Sequence, residues 1–450
     1  MPAPRNILIL MADELRFDLP GFMGNPICRT PMLNRLARRG VVFDNAYTPS
    51  PVCVPARQSI ALGKYPLHTG CERFGEDIPP GSRTFARIFS EAGWLTVACG
   101  KLHHRGPDQM QGWLQRIGSE CAVQWPNTYG AEGREQIGRL KWRGAEEIEL
   151  GGPGTSPLAL HDRLTVDGAI DFLRMHFEGM YRRTPDVEPL LLMVSLQQPH
   201  FPFLADPELF AYYHERVRPR VHEEAPWHPV LGKGALPCGE KVAPEQVRDA
   251  TAAYYALVEQ ADREFTRVIE AVESLGQNID DWIVVFLSDH GEMLGEHALW
   301  EKRKFYEGSV RVPFFIRLPE VWRPVRRREN VSTVDLFPTL CEAAGLTAPD
   351  DLDGRSLVPI LEGRREGWSN EVLSQHDLDE FMLKRGNLKY LTFGQKGSDV
   401  LFDLASDPGE SSNRISDPGY ILEVTEMRER LQDFIASRCA LPESTCQAPR

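Results

Sequence analysis

The sequence predicts an α/β protein built on a mostly parallel sheet with helices on both faces. Three observations carry this. Four short runs are nearly continuous in apolar residues, as strands buried on both faces require. Segments with helical apolar periodicity lie between them. Ionisable residues follow each run at its carboxyl end, where open parallel sheets place their ligands.

The first run, residues 6–11 (Asn-Ile-Leu-Ile-Leu-Met), leads into Asp13-Glu14. Residues 32–39 read as a helix stopped by Gly40, after which Val41-Val42-Phe43 resumes strand character. The next helix begins at Cys53-Val54-Pro55-Ala56-Arg57. Pro55 suits a first turn, residues 56–62 carry no breaker, and Gly63 supplies the stop. Residues 85–92 form a helix ended by Gly93, and the second run, 94–99, enters Gly100-Lys101-Leu102-His103. Residues 104–160 and 201–245 are rich in Gly, Pro and Trp without clear periodicity. They are expected to be binding loops that shape a substrate pocket.

The third run, 190–195, reaches Gln198-Pro199-His200. Residues 251–275 form a long amphipathic helix whose apolar stripe is core, ended by Gly276. The fourth run, 282–287, ends in Ser288-Asp289-His290-Gly291. Arg326-Arg327-Arg328, beside Pro324, read as a solvated loop. Beyond Gly363 the character changes: residues 389–393 and 400–404 look like hairpin strands and 420–436 like a closing helix. The expected division is a catalytic domain over 1–363 and a smaller C-terminal α+β subdomain over 364–450.

Composition narrows the function. Hydrophobic residues make up 42% and charged residues 26%, ordinary values for a soluble globular protein. No apolar run approaches the roughly 18 residues of a membrane span. Met1-Pro2-Ala3-Pro4-Arg5 passes into a strand with no signal-peptide cleavage region, so a cytoplasmic location is expected. Nine cysteines (28, 53, 71, 99, 121, 238, 341, 439 and 446) show no C-x-x-C pair and no zinc spacing, which fits reduced thiols. The sequon Asn330-Val331-Ser332 is then a chance match. A net charge of −13 argues against nucleic acid or an anionic membrane surface as partner. An acidic protein that handles an anion must gather its cations locally.

Two constellations carry chemistry. Cys53 and Arg57 set a thiol beside a permanent positive charge at a helix N-terminus, whose free N–H groups favour a tetrahedral oxyanion. Asp13, Glu14, Asp289 and His290 bring three carboxylates and an imidazole to two strand ends. The oxygens suit Ca²⁺ or Mg²⁺, and the imidazole moves preference toward Mn²⁺. Adjacent strand residues face opposite ways, so Asp289 and His290 can share an ion only after the chain has left strand geometry, which Gly291 allows. Without an ion, the same residues are surface carboxylates and a paired histidine.

The stretch from Cys53 to Pro66 resembles the signature of the type I sulfatases, C-x-P-[SA]-R followed by a small apolar run and G-x-x-P. Gly100-Lys101-Leu102-His103 is similar to that family's G-K-x-H, Pro199-His200-Phe201-Pro202 to its P-H-x-P, and Ser288-Asp289-His290-Gly291 to its D-[HN]-G step. Residues 299–313, which contain Lys302, resemble G-x-W-x-K-x-x-x-Y-E-x-x-x-R-V-P, and 401–413 resemble L-[YF]-D-L-x-x-D-P-x-E-x-x-N. The resemblance covers nearly the whole chain. It implies an alkaline phosphatase-like fold with a large, mostly parallel mixed sheet between helices.

The resemblance also implies a mechanism. Cys53 is oxidised to formylglycine by a formylglycine-generating enzyme, and the hydrated aldehyde is the nucleophile. One divalent cation, Ca²⁺ foremost with Mn²⁺ or Mg²⁺ as the others, is held by Asp13, Glu14, Asp289, His290 and the modified Cys53. Many sulfatases carry Asp or Gln where this chain has Glu14. The cation and Arg57 activate the attacking hydroxyl, and Lys101 and Lys302 neutralise the sulfuryl oxygens. His200, with or without Lys302, protonates the leaving alcohol, and His103 takes the proton that expels sulfate. His104 is an alternative base, and His297 either supports the site or touches substrate. The implied substrate is a small sulfate monoester, aryl or alkyl; residues 100–109 look like the loop in choline-sulfatase relatives. Two alternatives stay open: a phosphonate monoester or phosphodiester hydrolase, against which Lys101-x-His103 argues, and a non-catalytic anion-binding homologue with unmodified Cys53. Whether the chain acts alone or as a homo-oligomer is also open.

Overall fold

Asn6–Asp13 forms β1, and every residue after Asn6 in it is buried, as a run of Ile, Leu and Met flanked by strands on both edges must be. The computed structural model describes residues 6–118, 144–179, 188–220 and 228–440. In it β1 lies inside an eight-stranded sheet with β2 (Val41–Tyr47), β3 (Leu95–Gly100), β4 (Gln115–Ile117), β5 (Leu190–Pro199), β6 (Ile283–Ser288), β7 (Arg311–Arg317) and β8 (Val325–Ser332). The order is β8-β2-β7-β6-β1-β5-β3-β4. β7 runs antiparallel to β2 and β6, and the other pairs are parallel. The four apolar runs are therefore β1, β3, β5 and β6, directly adjacent in the sheet in the order β6-β1-β5-β3.

Alternation along these strands divides the core into two layers. Leu8, Leu10, Val194, Val284 and Phe286 pack with α4 (Pro157–Glu178) and α6 (Pro244–Ser274) through Val166, Phe172, Phe265 and Ile269. Ile7, Ile9, Met11, Val285 and Leu287 face α2 (Cys53–Leu62), α3 (Phe85–Glu91) and α7 (Leu336–Ala343) through Ile60, Phe89, Phe337 and Leu340. α1 (Pro31–Ala37) joins the first layer.

Three expectations need correction. Arg326-Arg327-Arg328 are not a loop but part of β8, the outer edge strand, where Arg326 donates to Asp44 (2.8 Å) and to the Phe22 carbonyl (2.7 Å). Charge suits such an edge, because it discourages pairing with another chain. The stretches expected to be irregular contain the first turn of α4 and all of α5 (Pro207–His214), whose Asp206 caps the Glu208 and Leu209 N–H groups (3.0 and 3.1 Å). Residues 119–143 and 221–227 of those stretches lie outside the described residues, as do 1–5 and 441–450. The long helix begins seven residues before 251, at Pro244 in its first turn.

The C-terminal part is an antiparallel meander of β9 (Glu371–His376), β10 (Glu380–Arg385), β11 (Leu388–Thr392) and β12 (Val400–Asp403), covered by α8 (Ile421–Ala436). Val424, Met427, Leu431 and Phe434 of α8 pack on Leu373, Leu383, Tyr390 and Leu401. The fully buried Lys389 on β11 pairs with Glu307 (2.6 Å) and Glu410 (2.7 Å), and Glu410 accepts the Glu307 N–H (2.7 Å). The D-P-x-E match thus supplies a docking carboxylate. Asn330 is buried and donates to the Asn370 and Gly386 carbonyls (3.0 and 2.9 Å), so the sequon is closed to modification in the folded chain. Cys28, Cys53, Cys71, Cys99, Cys238 and Cys341 are unbridged, and among the described residues no helix is long and apolar enough to cross a membrane. Cys121 and Cys446 lie outside the described residues.

Asp335, just before α7, is buried and accepts the Ser332 and Arg355 N–H groups (2.9 and 2.8 Å). Burial pushes its carboxyl up to about 6 despite those donors. A carboxyl raised on folding binds more protons in the native than in the unfolded state, so its contribution to stability falls as pH rises from its unfolded value through 6. Asp335→Asn should therefore gain melting temperature relative to the parent between about pH 4 and pH 7. A pH-independent difference in thermal unfolding would contradict this.

Candidate active site

The parallel registers bring the chemistry to one rim. Ala12 pairs with Ser288, Asp13 with Pro199, and Gly100 with Ser195. Asp13, Lys101, His200 and Asp289 thus emerge from the same edge of four adjacent strands. Cys53 opens α2, with extended Val52 before it, and Arg57 follows one turn later. The Arg303 N–H donates to the Pro51 carbonyl (3.0 Å), which holds the Lys302 loop against the turn before Cys53.

β6 ends at Ser288, so Asp289 and His290 lie beyond strand geometry, as sharing an ion requires. Gly291 serves this by close approach rather than by unusual dihedrals: a Cβ there would stand 2.0 Å from the Gly308 carbonyl oxygen. Asp13, Asp289 and His290 each offer a ligand atom within 4.8 Å of the others, and all three are fully buried. His290 Nδ1 lies 3.0 Å from the Gly291 carbonyl, which directs Nε2 to 3.8 Å from both Asp13 Oδ1 and Asp289 Oδ1. Burial lowers this imidazole to about 4, so it is neutral at physiological pH, as a metal ligand must be. Asp13 Oδ1, Glu14 Oε1 and His290 Nε2 are buried without hydrogen-bond partners. Orphaned lone pairs at a buried acidic point fit a divalent cation.

The cations interleave with these carboxylates. Arg57 Nε donates to Asp289 Oδ2 (2.6 Å), while Nη1 donates to the Lys101 carbonyl and to Ser195 Oγ (2.7 Å each). Lys101 Nζ pairs with Asp13 Oδ2. Lys302 Nζ donates to Glu14 Oε2 (2.5 Å), the oxygen that also lies 3.2 Å from His200 Nε2. Cys53 lies within electrostatic reach of Arg57 and Lys302. The His103 carbonyl accepts from Gln58 (2.7 Å), and its ring stands 6.5 Å from that of Phe74, an exposed aromatic. All six residues proposed for catalysis thus lie around the start of α2 and the neighbouring strand ends. Of the five proposed metal ligands, Asp13, Asp289 and His290 meet. Glu14 turns its carboxylate to Lys302 and His200, and the Cys53 sulfur lies outside the triad.

Burial acts against every charge here, and the neighbours decide the outcome. It raises the Asp13 carboxyl, but Lys101 first, then Arg57 and Lys302, hold it well below the usual carboxylate range. Burial pushes Glu14 well up, with Lys302 opposing and Glu292 adding to the rise. His103 is held well below an ordinary imidazole by burial and then by Lys101 and Arg57; His200 is lowered by burial and Lys302. Both rings are accordingly neutral bases in this state.

Several supporting residues escape sequence reasoning. Arg16, fully buried, donates through Nη1 to the Glu292 and Met293 carbonyls (3.1 Å each), stapling the loop after β1 to the loop after β6. Tyr254 Oη on α6 donates to the Glu14 carbonyl (2.5 Å) and accepts the Arg16 N–H (2.9 Å). Ser195 orients Arg57. The only signal in the sequence was polar residues next to apolar runs. His104 lines an apolar cavity with Ile60, Phe85 and Trp113, and His297 stacks on Tyr306 at 4.1 Å.

The chain is similar to known proteins along nearly its whole length. A family model described as Sulfatase matches residues 5–346, and one described as N-sulphoglucosamine sulphohydrolase, C-terminal, matches 295–437. A choline-sulfatase of Rhizobium meliloti is 30% identical over 98% of this chain and 89% of its own. An arylsulfatase of Clostridium perfringens is 29% identical over 95% of this chain and 93% of its own. The phosphonate monoester hydrolase of Agrobacterium radiobacter superposes with a TM-score of 0.78, covering 98% of this chain and 97% of its own. At 23% identity that likeness is one of fold.

Asp289→Asn should weaken binding of Mn²⁺ or Ca²⁺ by at least about tenfold in calorimetric titration, because it removes a charged ligand and loosens Arg57. Unchanged affinity would put the ion elsewhere.

Proposed function

Because the chain belongs to the sulfatase family and is a sulfuric ester hydrolase, we propose that it cleaves a small sulfate monoester, aryl or alkyl, at the rim around Cys53. The observation that carries this is the gathering of Arg57, Lys101 and Lys302 with two neutral histidines at one helix start, in a chain of net charge −13. Oxidised to formylglycine by a maturation enzyme, Cys53 would supply a hydrated aldehyde as nucleophile. A divalent cation held by Asp13, Asp289 and His290, with Glu14 as a fourth candidate, would polarise the sulfuryl oxygens.

The remaining roles belong to side chains of the chain itself. Arg57 is fixed by three acceptors and keeps Nη2 unpartnered, a donor for a substrate oxygen that needs no reorganisation when the ester arrives. Lys101 and Lys302, now paired to Asp13 and Glu14, carry the charge that balances the sulfuryl group. His200 Nε2 and Lys302 Nζ share one Glu14 oxygen, so His200, neutral as it stands, would take a proton at Nε2 from the Lys302–Glu14 pair and pass it to the leaving alcohol. His103 receives the proton whose removal releases sulfate. The choline-sulfatase relative makes choline sulfate the first alkyl ester to test. Unbridged thiols support a reducing compartment such as the cytoplasm. Phosphonate or phosphodiester hydrolysis is the second reading, since the same cations serve any tetrahedral anion; Lys101-x-His103 favours the sulfate ester.

Protein made in a host able to carry out the modification should show the peptide containing Cys53 lighter by about 18 Da, the change from thiol to aldehyde. An unmodified thiol there would favour a non-catalytic anion-binding protein. Arg57→Ala should lower kcat on 4-nitrophenyl sulfate by about 10²- to 10³-fold with the circular dichroism spectrum unchanged. Near-parent turnover would remove Arg57 from the reaction, and faster cleavage of phosphonate than of sulfate esters would favour the second reading.

A further inference from the structure

Asp162 lies in the second turn of α4 and is fully buried. Its Oδ1 accepts the Gln197 N–H (2.8 Å) and its Oδ2 the Gln198 N–H (2.9 Å). These two residues sit at the end of β5, directly before Pro199 and His200. A carboxyl removed from water is costly even when it is hydrogen-bonded, and burial pushes this one up to about 7 despite both N–H donors and a further bond from the Gln198 side chain. Core packing does not call for it: the neighbouring positions on the inner face of α4 are Thr165, Val166 and Ala169. Its two bonds instead fix the orientation of successive peptide planes, one residue short of the Pro199-His200 peptide. Gln197 is held a second time, by its side-chain amide 3.1 Å from His161 Nδ1. The chain therefore enters His200 with its direction set from α4, and His200 keeps Nδ1 on the Phe201 carbonyl (2.6 Å) and Nε2 toward Glu14 (3.2 Å).

We propose that Asp162 is a positioning residue for His200: its carboxylate clamps the Gln197 and Gln198 amides and so sets the reach of His200 Nε2 to the leaving-group oxygen. This rests on the reading of His200 as proton donor. A tie that only joined helix to strand would affect folding or every substrate alike. One that positions a proton donor affects substrates according to how much their leaving group needs a proton.

The test uses the matured, cation-loaded enzyme on two esters: 4-nitrophenyl sulfate, whose leaving group needs little protonation, and an unactivated alkyl sulfate. Asp162→Asn presents an amide donor to one of two N–H donors and keeps a single acceptor. It should lower kcat on the alkyl ester by at least about tenfold while costing the nitrophenyl ester less than about threefold, with KM little changed on either. His200→Ala should show the same selectivity, and the double variant should lose no more than His200→Ala alone, because the clamp acts only through that ring. Equal losses on both esters, or losses that multiply in the double variant, overturn the proposal. If His200→Ala is selective and Asp162→Asn is not, the clamp fails and the role of His200 stands. If His200→Ala itself costs both esters alike, that role fails and the clamp with it. Should Asp162→Asn not fold, Asp162→Ser replaces it, and failure of both to fold makes the residue structural and ends the proposal.

Discussion

Three carboxylates and three permanent or near-permanent cations share one buried rim, and each is tolerable there only because of the next. Asp13 faces Lys101, Glu14 faces Lys302, and Asp289 faces Arg57. Removing one partner of such a pair leaves an uncompensated buried charge, a loss of about 3–5 kcal/mol in comparable cases. The constraint also shows how the site can exist before any ligand arrives. A divalent cation and an anionic ester bring opposite charges. A cation held by Asp13 and Asp289 would take over part of the negative charge there, and an anionic ester would face the ammonium groups so released.

Holding that arrangement requires backbone that ordinary residues avoid. Glu14 and His103 are left-handed, with φ of 64° each, and Lys302 lies between Glu301 at 65° and Arg303 at 71°. Conformations of this kind cost about 1–3 kcal/mol each and persist only where the surroundings over-determine them. The over-determination is visible. Arg16, Tyr254 and Ser288 fasten the loop after β1 to the loop after β6 and to α6, Ser288 Oγ by accepting the Leu15 N–H at 2.9 Å. Fixed dipoles and charges are worth most to a reaction when they need not move, and this loop pair is built to stay still.

Much of this was legible because buried parallel strands must be apolar along their whole length. Residues 6–11, 94–99, 190–195 and 282–287 announced both the sheet and the rim, since polar residues can resume only where a strand leaves the core. Motif residues were equally plain, because their spacing is local. β8 was missed because an edge strand carries charge, and its three arginines look like a loop. β9 and β10 were missed because their alternation is short and one-sided. The residues that support the site were invisible for another reason: Asp162 acts on Gln197 and Arg16 on Glu292, and separations of 35 and 276 residues leave no periodic trace. Glu14 shows the limit from the other side. Its position suggested a ligand, but in the folded chain its nearest obligations are to Lys302 and His200, which no spacing could have shown.

The C-terminal meander belongs to the same constraint. The Gln375 N–H on β9 donates to the Pro49 carbonyl (2.8 Å), and the Arg303 N–H reaches Pro51 two residues on, so the turn leading into Cys53 is gripped from both sides. Lys389 on β11 bonds the Phe305 carbonyl (2.9 Å) as well as Glu307 and Glu410, which secures the segment just after Lys302. One end of that segment carries a buried ammonium and the other a buried carboxylate, and neither could be left to solvent. The helix that presents Cys53 and the loop that presents Lys302 come from distant parts of the first sheet's layers. They are held opposed by the direct Arg303–Pro51 bond and, from outside, by a second sheet that contributes none of the proposed catalytic groups.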